Sequence, residues 1–137
     1  MSAAMDLDLV DIAPVTTANH EVGDRAIAGS CCTHDAFTPI PLYEFRPERD
    51  GSFGIDGTIL VWQDNGATLQ WCIHVGFRRT EGDMVPMGMP FIGGNRKRTH
   101  VRIFTDVHAG KARIMVIGLD NKRLCWRLKG VLFDLTC

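Results

Sequence analysis

No run of apolar residues in this 137-residue chain approaches the roughly 20 that a bilayer-spanning helix requires. The first residues, Met1-Ser2-Ala3-Ala4-Met5-Asp6, have neither the positive cluster nor the apolar stretch of a secretory leader. There is no Asn-x-Ser/Thr acceptor, and the five cysteines are odd in number, as suits reduced thiols rather than a disulfide framework. These absences place the chain in the cytoplasm, or in a virion assembled there, and not among secreted proteins.

Catalytic and cofactor signatures are equally scarce. The chain holds no phosphate-binding P-loop, no dinucleotide fingerprint and no G-x-S-x-G elbow. Cys31-Cys32-Thr33-His34 is the best metal candidate, but adjacent cysteines lack the knuckle spacing of a zinc site and no second knuckle follows. Cys72 and His74 fall on one face of the same stretch, yet side chains two apart on a strand stand nearly 7 Å from each other. A small enzyme using that pair therefore needs a third group from elsewhere. The expectation is a non-enzymatic protein with no cofactor and no metal.

Aromatic residues make up only 8% of the chain, and none precedes Phe37. Residues 1–36 thus have little to bury and read as a flexible acidic N-terminal arm, with residues 37–137 as one β domain. Within the arm, Leu7, Leu9 and Ile12 alternate with Asp6, Asp8 and Asp11, a pattern suited to a short docking segment.

What the chain has in quantity is turn and strand signal. Fourteen glycines and six prolines punctuate short β-branched and aromatic runs about ten residues apart, the pattern of an all-β fold. Residues 39–47 alternate but carry prolines, so they suit an edge strand. Residues 58–63 lead through Asp64-Asn65-Gly66 into a strictly alternating return strand with Leu69, Trp71, Ile73, Val75 and Phe77 on one face. Residues 79–95 read as a long connection containing Met84, Met87 and Met89, adaptable side chains for a partner contact. Strands follow at 99–107, 111–118 and 123–129, with a bulge expected at Gly130 so that Val131, Phe133 and Leu135 continue the apolar face. The fold class is an antiparallel meander forming a small sandwich or barrel, with Trp71, Ile73, Ile103, Trp126 and Phe133 in its core.

The net charge of −1 conceals a strong asymmetry. Residues 1–36 carry −5, whereas residues 93–129 carry +8. Arg96, Lys97 and Arg98 run into a strand bearing Arg102, and Arg127 and Lys129 alternate on the last strand. If the last three strands pair in sequence, these cations share one face. Such a surface suits nucleic acid, nucleoprotein or an acidic membrane. The expected function is a binding and assembly module that self-associates, with the layout of a viral matrix or coat protein. A small-ligand-binding β-barrel lidded by the methionines is the alternative, and the Cys72/His74 enzyme is a third.

Overall fold

The computed structural model describes residues 24–63, 66, 68–87, 91–94 and 101–134. The strands are β1 (Arg25–Thr33), β2 (Ile40–Phe45), β3 (Gly51–Gln63), β4 (Thr68–Thr80), β5 (Asp83–Pro86), β6 (Phe91–Gly94), β7 (Arg102–His108), β8 (Lys111–Ile117) and β9 (Leu124–Asp134). A large sheet runs β1-β9-β3-β4-β5, with β6 also on β4, and a small sheet runs β2-β8-β7. Every pairing is antiparallel. The two sheets stack as a sandwich, not a closed barrel, because β1 and β5 bound one sheet while β2 and β7 bound the other.

Local chemistry fixes the hairpins. Gly66 takes a φ of 95° and donates its N–H to Gln63 O at 2.9 Å, setting Trp62 opposite Thr68. Glu81-Gly82 and Ala109-Gly110 are two-residue loops with positive φ at both positions, matched to the twist of the strands they join. The Asp50 carboxylate accepts from the N–H groups of Glu81 and Gly82 at 2.7 and 3.1 Å, tying the β4–β5 turn to the start of β3.

The space between the sheets is filled. Phe45 of β2 meets Phe53 and Phe77 edge-on, with ring centroids 6.1 and 5.7 Å apart. Trp71 stacks on Trp126 at 6.2 Å. Ile55, Ile59, Ile73, Val116 and Leu128 are fully buried among them. The indole N–H of Trp126 donates to Thr33 Oγ1 at 2.9 Å, so the largest core side chain has its one polar atom satisfied.

The order of strands departs from a meander. After β8 the chain leaves the small sheet, and β9 inserts between β1 and β3 of the large one. Its alternation runs unbroken, with Leu124, Trp126, Leu128 and Leu132 inward, so the expected bulge at Gly130 is absent. Gly130 instead lies opposite Gly57, and a β-carbon on Gly130 would stand 2.3 Å from Asp56 O. The residue admits close backbone approach rather than a register shift. Val131 and Phe133 consequently point out of the sandwich; Phe133 is half-buried, its ring lying over Gly54, and Leu135 falls outside the described residues. Ile103 is half-buried, whereas Trp71, Ile73 and Trp126 are core residues as expected.

Two further expectations change. Residues 25–33, assigned above to the arm, form β1, nine residues paired along their length with β9. Ile27 and Thr33 are buried there, and Gly29 leaves room for the Leu42 backbone of β2, so an aromatic-free stretch still contributes to the core. The long connection over 79–95 also contains structure: β4 extends to Thr80, and both β5 and β6 pair back onto it.

Candidate binding surface

Strand alternation decides which side chains reach solvent on the large sheet. Read across β1, β9, β3 and β4, its outer face carries Cys32, Cys125, Trp62 and Thr68 in one row. The next rows are Ser30, Arg127, Leu60 and Gln70, then Ala28, Lys129, Thr58 and Cys72, then Ala26, Val131, Asp56 and His74. Arg127 and Lys129 thus stand two residues apart, flanked by the exposed small residues of β1 and by half-buried Leu60 and Trp62. An open groove of about 510 Å³ runs beside them, lined by Ala28, Ser30, Cys32, Trp62, Cys125 and Arg127 among others.

Arg102 is not on this face. It belongs to β7 of the small sheet, and its guanidinium lies 5.9 Å over the Phe104 ring on the opposite side of the sandwich. The expected single positive surface is therefore split, because β9 crosses to the other sheet and does not continue from β8. The remaining charge on the small sheet is matched internally. Arg113 makes two bonds of 2.8 Å to Asp106, which helps hold its guanidinium pKa above the ordinary arginine value. Glu44 lies 3.7 Å from Lys111 and 3.9 Å from Arg113. Arg96, Lys97 and Arg98 lie outside the described residues, as do Leu7, Leu9, Ile12 and Met89. Of the two further methionines expected at a partner contact, Met84 is buried and Met87 is exposed beside exposed Val85.

His74 Nδ1 and Asp56 Oδ1 are 2.7 Å apart across β3 and β4. Cys72 stands opposite Thr58, one row away. The Asp56–His74 pair follows from hairpin register and not from either residue's local pattern: the turn sets Trp62 opposite Thr68, and counting back along both strands pairs Asp56 with His74. Among the described residues no group of three or more His, Cys, Asp or Glu side chains is placed to hold a metal ion. Cys31, Cys32 and Thr33 alternate across β1, so they do not converge. At one end of the sandwich a second open pocket, about 360 Å³, collects Arg25, Arg46 and Arg49 with Glu48 and Asp134. Arg49 is ion-paired to Asp134, and Arg46 donates to Ala109 O at 2.8 Å. Their convergence depends on β1 and β9 lying side by side, a long-range pairing that no local pattern announces.

No helix among the described residues is long and apolar enough to cross a membrane. No protein-family model matches the chain, and no curated protein matches it in sequence. Among solved structures, the chain is similar to the tailspike protein of Acinetobacter phage vB_ApiP_P1, with a TM-score of 0.42 and 8% identity. That likeness covers 85% of this chain and 23% of the tailspike, so this chain spans under a quarter of that protein's length.

Proposed function

We propose that the chain is a non-enzymatic binding and assembly module, matrix-like or coat-like in layout, that self-associates and meets an anionic partner through Arg127 and Lys129. The observation that carries this reading is the neighbourhood of those two cations: the outer sheet face on which they stand ends in an unblunted edge strand. Proteins guard sheet edges with short strands, prolines, bulges and charge. Here β5 has four residues ending in Pro86, β2 carries Pro41 and a register shift after it, and β7 carries Arg102, Asp106 and His108. β1 has nine residues, no proline, no bulge and only Arg25 as a charge, and it pairs with β9 alone among the described strands. A second copy of β1 fits that edge by strand addition. The phosphate groups of nucleic acid, nucleoprotein or an acidic membrane are the chemistry that Arg127 and Lys129 suit.

The test measures mass in solution, then binding to duplex nucleic acid and to phosphatidylserine vesicles, from about 50 mM salt upward. Arg127→Gln with Lys129→Gln should weaken binding and lower the slope of log affinity against log salt by roughly 2 on nucleic acid. Ala28→Lys with Ser30→Lys should favour the monomer, since charge blunts an edge. Absence of binding to both partners, together with a monomer at every concentration, overturns the reading.

A further inference from the structure

Cys32 and Cys125 face each other directly in the β1–β9 register, with their sulfurs 3.8 Å apart on the outer face of the large sheet. The Arg123 guanidinium donates to Cys32 Sγ at 3.6 Å. Both thiols line the 510 Å³ groove, so a small oxidant reaches them without the sandwich opening. Directly opposed residues of an antiparallel pair have Cα atoms about 4.5–5.5 Å apart, inside the range that a disulfide spans. We propose that Cys32 and Cys125 form an oxidisable pair that closes to a cross-strand disulfide, with a peroxide as the oxidant.

Cys32 releases its proton and the thiolate attacks one oxygen of hydrogen peroxide; the O–O bond breaks, leaving a Cys32 sulfenic acid and a hydroxide that takes up the released proton as water. Cys125 in turn releases its proton and its thiolate attacks the Cys32 sulfur; the S–O bond breaks, the disulfide forms, and the departing hydroxide takes up that proton as the second water. Two thiols are oxidised and one peroxide is reduced to two waters. Cys32 is the attacking sulfur because its developing charge falls beside Arg123. Cys31 also borders the groove, but strand alternation turns its side chain to the opposite face, where it packs against the core. Burial, helped by the neighbouring Cys32 and Cys125, also pushes the Cys31 thiol up to about 11. Cys72 is exposed on the same face, but β9 and β3 lie between its strand and that of Cys32.

The experiment treats the full chain with stoichiometric hydrogen peroxide, blocks remaining thiols with N-ethylmaleimide, and maps the product by mass spectrometry. The expected product has lost about 2 Da before blocking, with two fewer alkylated thiols and one peptide link joining Cys32 to Cys125 within a single chain. Cys32→Ser and Cys125→Ser should each abolish the link, Cys72→Ser should retain it, and a thiol reductant should reverse it. Arg123→Gln should slow closure several-fold without changing where the link forms. Unchanged alkylation of all five cysteines overturns the proposal. So does conversion of Cys32 to a sulfinic acid with no link, or a link that runs only between chains. The parent protein alone decides the matter, so a variant that folds poorly does not shield the proposal.

Discussion

At the scale of single residues, the sandwich depends on places where a side chain is missing. Gly130 has the Asp56 carbonyl oxygen 2.3 Å and the Gly57 Cα 2.8 Å from where its β-carbon would sit, and both obstacles are backbone. Gly76, on the same sheet, has no neighbour nearer than 3.5 Å to that point. Gly130→Ala should therefore cost about 1–3 kcal/mol or more, as overpacking of a well-fitted interior does. Gly76→Ala should be neutral or mildly stabilising, because it only removes backbone freedom from the unfolded chain. Urea unfolding of the two variants makes the comparison; equal losses would mean that the close approach of β3 and β9 relaxes easily.

Charge at single residues gives a pH signature. Hydrogen bonds from the N–H groups of Gly82 and Glu81 hold the Asp50 carboxyl below its ordinary value, with Arg79 adding a smaller push in the same direction. Asp35 is lowered likewise by the N–H groups of Thr38 and Phe37. A carboxylate whose folded pKa is depressed contributes stability that is present above its unfolded pKa and is lost as pH falls through the folded one. The chain should accordingly lose stability on the acid side of the ordinary aspartate range. In Asp50→Asn the acid limb of the melting temperature against pH should flatten. A limb parallel to that of the parent would show that the β4–β5 turn holds without the carboxylate.

At the scale of elements, β1 is where local and long-range information diverge. A chain beginning at Phe37 should lack cooperative unfolding, because it deletes Ile27, Thr33 and the hydrogen bond that satisfies Trp126. Protease should correspondingly spare residues 26–33 in the full chain. A cooperative melt of the shortened chain would mean that β9 closes the large sheet alone. The sequence made β2, the β3–β4 hairpin and the inward set of β4 legible, because alternation and turn chemistry are local. β1 was illegible because its apolar signal is diluted by alanine, glycine and serine, and its partner lies about a hundred residues away. The same cause scattered the basic set. Local alternation sets Arg127 and Lys129 opposite a core face, but nothing local says which sheet β9 joins.

At the scale of the molecule, the pairing of β1 with β9 and of β9 with β3 makes the fold rich in distant contacts, and such topologies fold in milliseconds to seconds. The β3–β4 hairpin, joined by a tight loop, is expected to form before β1 can find β9. Ile27→Ala should then raise the unfolding rate while changing the folding rate by less than about twofold, whereas Ile59→Val should slow folding. Stopped-flow chevrons separate the two. A large slowing of folding by Ile27→Ala would place β1 in the folding nucleus.

The register of β1 on β9 has a geometric corollary. Arg25 lies opposite Leu132, so the point where the chain enters the sandwich and the point where it leaves are adjacent. Topologically the body is a ring with a nick at one corner. A short linker across that nick, with a new opening at the exposed Glu81–Gly82 turn, would keep every strand pairing while relocating both ends, since exposed turns are the positions where circular permutation succeeds.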